Sequence, residues 1–347
     1  MQITIPDLET SKVLSFAKTL NEIEINKLSP DEKVVFAANM NWVRPFGMLF
    51  AICSIKQFRR KYHDLNCSMY CDQARNGVSY AAQMGFFKAI SEMLPIGKEP
   101  GEATGNENYV PVTELDFAEM CKTSISNGRM IDSEDLLEEK SSELATVLSR
   151  GDKDVHDILT YLIREMLRNI DEHSGTRKCL ICGQYWSDQT AEIAIIDEGQ
   201  GILSSLRRNS IHRNYIETDE DALKWAIKAG ISCAFKPDKS GGITPSGLWE
   251  NSGFGLYMAR EICRNLNGTF TIVSGNQYLS ILSNGHINTG DTYIQGTAIR
   301  MNISTRNLGE SKKLIREIAA QGEEQAKTIR NAFKRASVPS KGLINNY

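Results

Sequence analysis

The 347-residue sequence lacks a long apolar run. Its most apolar stretch, Phe46 to Cys53, is soon followed by Lys56, whereas a membrane span needs about twenty apolar residues, so none is expected. The opening MQITIPDLET has neither the basic start nor the apolar core of a signal peptide, and a cytoplasmic location is expected. Neither sign of charge dominates: 40 Lys and Arg stand against 43 Asp and Glu, a formal net charge of −3. That balance sets up no overall field for a nucleic-acid backbone, and no nucleic-acid partner is expected. Internal repeats and long low-complexity stretches are missing too, and with 41% hydrophobic residues a disordered chain is excluded. Eight cysteines are present, but a chain this long buries a core without disulfide staples, so free thiols are expected. The one CxxC, Cys179 and Cys182, has no second pair or His cluster to complete a zinc site. It lies in the strand-like KCLICGQYW, where alternation sends the two sulfurs to opposite faces.

What is there reads as α/β with two units. Gln2–Ile5, Lys33–Ala38 and Leu65–Tyr70 have strand character. Pro45 opens a helix that ends in basic residues, and Asn76–Ile90 reads as a second helix with a glycine near its end. Strand, helix, strand, helix implies a small α/β unit over 1–98. Residues 99–150 read as a Gly/Pro/Asn loop and then an acidic stretch, Asp132–Glu143, that is either a linker or a solvated helix face. Residues 151–305 run helix, strands, long loop, helix, strands. The tail, 306–347, carries eight basic and four acidic residues from Glu310 onward and reads as a broken amphipathic helix that packs on the body or on a partner.

Four short patterns carry the chemistry. In DVHDILTYLIREMLRNIDEHS the apolar residues recur at helical spacing, and Glu165 and Asn169, four apart, share a face. Strand Thr190–Ile196 runs into Asp197, with Gly199 and Gly201 behind it, so a carboxylate stands at a strand end where backbone can approach a ligand closely. Such a carboxylate can accept from an exocyclic amine. Gly253, Gly255 and Leu256 precede a helix, YMAREICRNL, whose N-terminal N–H groups suit an anion. Gly296 and Thr297 start a closing strand, TAIRMNI.

The order ExxxN, DxGxG, GxGL, GT resembles the GHKL ATPases, among them gyrase, histidine kinases and MutL. The resemblance covers about residues 150–303. It implies ATP and Mg2+ as cofactors, with Asn169 as metal ligand and Glu165 as general base. It further implies that Asp197 receives the adenine amino group beside Gly199 and Gly201, and that Gly253, Gly255 and Leu256 wrap the phosphates. Thr297 would help fix Asp197. His173 is either a basic group near the phosphates or a helix-terminal cation. A mobile lid is expected over Leu203–Asn251, with Arg207, Arg208, Phe235 and Lys236 as candidates to touch phosphates.

LIREMLRNIDEHS is closest to the anti-sigma-factor serine kinases. Only fifty residues follow Thr297, which argues against a clamp with a transducer domain. Neither His63 nor His156 sits where a histidine kinase keeps its phosphoacceptor. The first unit resembles the STAS domains of anti-sigma antagonists, so the expected fold is a STAS-like unit, a GHKL (Bergerat) sandwich and a C-terminal helical tail. Where antagonists carry a phosphorylatable Asp-Ser-Ser-Gly turn, this sequence has Arg44, Pro45, Phe46 and Gly47. The unit is therefore either a docking or dimerisation surface or a structural cover for the second unit. The resemblance implies a serine/threonine kinase-like regulator with a protein partner in bacterial signalling. The alternative is an ATP-gated switch or slow ATPase controlling a protein interface, as in stress or phage-defence sensing.

Overall fold

The computed structural model describes residues 1–23, 33–105, 108–126, 132–233, 236–237, 243–244, 253–306, 308–330 and 332–337, with backbone alone at 236–237 and 243–244. The chain begins with β1 (Gln2–Ile5), α1 (Thr10–Glu22), β2 (Val34–Ala38), α2 (Pro45–Lys61), β3 (Cys67–Cys71), α3 (Asn76–Gln83) and α4 (Phe86–Ile90). Strands β1, β2 and β3 form a parallel sheet in that order. The single helix expected over Asn76–Ile90 is two helices, because Gly85 adopts φ +91°, a left-handed conformation that ends α3 and re-aims the chain into α4.

Then follow β4 (Tyr109–Asp116), α5 (Phe117–Ser126), α6 (Ser133–Ser149), α7 (Lys153–His173), β5 (Lys178–Tyr185) and β6 (Thr190–Asp197). After these come α8 (Gly201–Arg207), α9 (Ser210–Arg213), α10 (Asp219–Ala226), β7 (Lys236–Pro237) and β8 (Ile243–Thr244). Last are α11 (Gly255–Asn265), β9 (Thr269–Ile281), β10 (Ile287–Ser304) and α12 (Ser311–Thr328). A five-stranded antiparallel sheet has the order β4-β5-β6-β10-β9.

Several expectations are corrected. The segment 99–150 is not merely loop and linker: β4 pairs with β5, and α6 packs along α7. Strand β4 escaped notice because Pro111 interrupts its alternation. The β4–β5 register shifts between Val110 and Thr113, and an edge strand tolerates such a proline. The acids of Asp132–Glu143 lie on a helix whose Leu137, Leu144, Ala145 and Leu148 point inward. The expected long loop after Gly201 contains α8, α9 and α10. Leu206, Ala222, Leu223 and Ala226 from α8 and α10 belong to the core.

Period-two alternation divides the five-stranded sheet into two buried faces. Cys179, Ile181, Ile193, Ile195, Ile299 and Met301 face the layer of α6, α7, α11 and α12. Leu180, Cys182, Ala194, Ile196 and Ala298 face the first unit. The two CxxC sulfurs accordingly lie in different cores. Helix α2 is buried on nearly all sides, with Met48, Phe50, Ala51, Ile52 and Ile55 fully enclosed, because it is sandwiched between the two sheets. The first unit thus covers one whole face of the larger sheet. Hairpin β9–β10, longer than the two short strands expected, reaches beyond the sheet to α1. There Thr292 donates to the Leu14 carbonyl at 2.8 Å.

Between these layers sits a buried charge. Glu192, fully enclosed on β6, accepts from Arg44 at 3.2 Å, from Arg300 at 2.9 Å and from the Phe46 backbone N–H at 3.3 Å. The Arg44-Pro45 turn thus presents a guanidinium and the N-terminus of α2 to this carboxylate. The tail helix α12 packs on α11 and α7 through Ile315, Ile318, Ala319 and Ala326.

Candidate functional site

Helix α7 carries the first two groups. Asp152 caps it by accepting from the Val155 N–H at 3.0 Å. Glu165 and Asn169 face the start of α11. A Cβ placed on Gly255 would lie 2.9 Å from Glu165 Oε2 and 3.4 Å from Asn169 Nδ2, so glycine is what lets α11 begin against these side chains. Glu165 is 2% exposed, and its Oε1 accepts from Arg164 at 3.1 Å. Arg164 also reaches Glu138 of α6 at 3.1 Å, which anchors the pair to the acidic helix.

Eight of the ten residues singled out from sequence line one cleft of about 790 Å³, counting the part open to solvent: Asn169, His173, Asp197, Gly201, Gly253, Gly255, Leu256 and Thr297. The other two lie just behind its wall, Glu165 beyond Gly255 and Gly199 behind Asp197. Apolar side chains, Ile170, Ile195, Ile202, Leu206, Ile231 and Ile272, supply most of the remaining surface. A mostly apolar cleft with a few placed polar groups is the usual make-up of a small-molecule site.

Asp197 closes one end. It is 4% exposed, lies opposite Thr297 in the β6–β10 register, and accepts from the Gly199 N–H at 2.8 Å. Burial pushes its carboxyl up to about 7, against the backbone N–H groups of Gly199 and Thr297, which favour the ionised form. Ser274, which sequence reasoning missed, ties this end together: its hydroxyl donates to the Gly296 carbonyl and accepts from the Ile202 N–H, both at 2.9 Å.

The opposite end has Asn169, Gly253 and the N-terminus of α11, which has no acidic residue in its first turn. The Gly253 carbonyl is fixed by the N–H groups of Gly230 and Ile231, at 3.1 and 3.2 Å. An anion here would meet the positive end of a helix dipole. Asn169 offers an amide oxygen of the type a hard cation accepts, and such a cation bridging phosphates needs few protein ligands. Of the lid candidates, Arg207 and Arg208 are exposed at the end of α8, and the charge of Arg208 reaches Cys233. Phe235 and Asn251 lie outside the described residues, as does the side chain of Lys236.

His173 is joined to Cys233, for which the sequence predicts no more than a free thiol. Its Nδ1 is 3.4 Å from Cys233 Sγ, and the Ser205 hydroxyl donates to the same sulfur at 3.4 Å. Burial raises the Cys233 thiol, but His173 and Ser205 outweigh it, and the thiol lies below its ordinary value. Burial raises Cys53, Cys67, Cys71, Cys179, Cys182 and Cys263 instead. Cys233 should therefore be alkylated by iodoacetamide near neutral pH about tenfold faster than any of these six. Peptide mapping by mass spectrometry checks this, and His173→Ala should remove the advantage.

No protein-family model matches this chain, and a search of curated proteins likewise finds no match.

Proposed function

We propose that the cleft binds an adenine nucleotide with magnesium and that the protein is an ATP-dependent regulator of the GHKL class. In this reading it transfers the γ-phosphoryl group to a hydroxyl of a protein partner, in the manner of the anti-sigma kinases. The observation that carries the reading is the convergence of four separate sequence patterns on one cleft, with a buried carboxyl at one end and a helix N-terminus at the other. Asp197 accepts from the adenine amino group. The α11 N-terminus and the backbone around Gly253 and Gly255 receive the phosphates. Magnesium, when bound, would neutralise phosphate charge, with Asn169 holding it through the amide oxygen. Glu165 takes the proton of the attacking hydroxyl as its oxygen bonds to the γ-phosphorus and ADP leaves.

The first unit is not the acceptor in this reading. It has no hydroxyl in the Arg44-Pro45-Phe46-Gly47 turn, and that turn is held against Glu192. The acceptor is a separate protein. One observation favours the switch reading instead: Glu165 is already paired with Arg164 and lies behind the cleft wall.

Incubation with ATP labelled at the γ-phosphate distinguishes the two. Glu165→Gln should cut label transfer or release by about a hundredfold or more while nucleotide affinity holds. Unchanged turnover in this variant supports the switch. Absence of any adenine nucleotide binding to the wild type removes both readings.

A further inference from the structure

At the end of β6 two neighbouring carboxylates point to opposite sides of the sheet. Asp197 enters the cleft, while Glu198 turns toward α2 of the first unit. There Glu198 Oε1 accepts from Gln57 Nε2 at 3.1 Å and pairs with Arg60. Gln57 does more than hold Glu198. Its Nε2 donates to the Gln295 carbonyl at 2.9 Å, and its Oε1 accepts from the Gln295 N–H at 2.8 Å. Gln295 immediately precedes Gly296 and Thr297. Gln57 and Arg60 are three apart and share one helix face. One face of α2 therefore grips both chain segments that form the base end of the cleft.

Adhesion between the units does not require this arrangement. The apolar cluster around α2 and the Glu192 centre already join the layers, and both act mid-strand. The Gln57 amide instead uses both its oxygen and its nitrogen at the end of β6 and at the irregular stretch of β10 just before Thr297. Asp197 and Glu198 share a peptide plane, so holding Glu198 and the Gln295 backbone fixes the main chain from which the Asp197 side chain projects.

We propose that Gln57 and Arg60 are positioning residues that aim Asp197 and thereby set the base selectivity of the cleft. The inference rests on the reading of the cleft as an adenine-nucleotide site. At the six position adenine presents an amino donor where guanine presents an acceptor, so a carboxylate aimed at that position favours the first and repels the second. Among the described residues, α2 packs chiefly on α1, α4, β5, β6 and β10, whereas the phosphate end is built on α7 and α11.

The test measures dissociation constants of the full chain for ATP and for GTP, each with magnesium, by calorimetry. Wild type should prefer ATP. Gln57→Ala and Arg60→Ala should each weaken ATP by about tenfold, the worth of a hydrogen bond or ion contact to a charged group, and should not weaken GTP. Arg60→Lys should restore ATP binding, since it keeps a cation opposite Glu198. On a Glu198→Gln background, Arg60→Ala should add little. The Arg60 side chain is 56% exposed, so its truncation leaves the fold intact. A parallel fall in both affinities, or an unchanged ATP-to-GTP ratio in a wild type that binds ATP, overturns the positioning role and leaves the site reading standing. A wild type that binds neither nucleotide overturns both.

Discussion

If the cleft binds an adenine nucleotide as proposed, Asp197→Ala is expected to weaken that binding by about a hundredfold, because it would remove a charge-assisted hydrogen bond inside an apolar cleft. The loss exceeds that of a surface contact because the carboxyl is buried, so water is poorly placed to substitute for it. A pH dependence goes with it. In the free protein the Asp197 carboxyl sits at about 7, whereas the adenine amino group requires an acceptor and favours the ionised form. Binding then releases a proton below that pH. Affinity should rise with pH up to about 7 and level off above it. Calorimetry in two buffers of different ionisation heat reads the proton directly, and Asp197→Asn should abolish it. The same shift has a stability sign. Between the ordinary value of 3.8 and about 7 the folded protein binds more protons than the unfolded chain, so this group makes stability fall as pH rises through that window. A flat affinity from pH 6 to 8 would remove Asp197 from the binding step.

Glu192→Ala should destabilise the protein by about 3–5 kcal/mol, since it leaves Arg44 and Arg300 without their shared carboxylate between two packed layers. Urea unfolding measures this, and a loss under about 1 kcal/mol would show that water reaches the site. Burial disfavours the Glu192 anion, but Arg300, Arg44 and the Phe46 N–H hold its carboxyl below the ordinary value of 4.5. Its contribution is therefore present above that value and lost as pH falls through the lower value in the folded state. Loss of Glu192 should also loosen the first unit from the sheet, because the carboxylate caps the N-terminus of α2.

Local patterns made half of this architecture readable. The 3.6-residue period showed α7 and put Glu165 and Asn169 on one face. The strand running into Asp197 and the glycines before α11 were visible as short boxes, because each is a backbone requirement met within a few residues, whereas the strand expected to start at Gly296-Thr297 begins at Ile287. Strand β4 was hidden by Pro111, and α8 to α10 by short polar turns that read as loop. Cys233 gave no sign of its role, since its partner is sixty residues away. Glu198 was passed over beside Asp197, because its partners are on α2.

What the amino-acid order determined by itself was the set of groups able to make a site: an acid and an amide one helical turn apart, a carboxyl at a strand end, and glycines at a helix start. Tertiary structure decided that they converge on one cleft, with Glu165 behind its wall, that Asp197 is raised by burial, and that the first unit covers the back of the sheet and holds Glu198 and Gln295. The division has a physical reason. Helix and strand periods arise from bonding between near neighbours, whereas burial and contact between layers depend on which distant segments pack together.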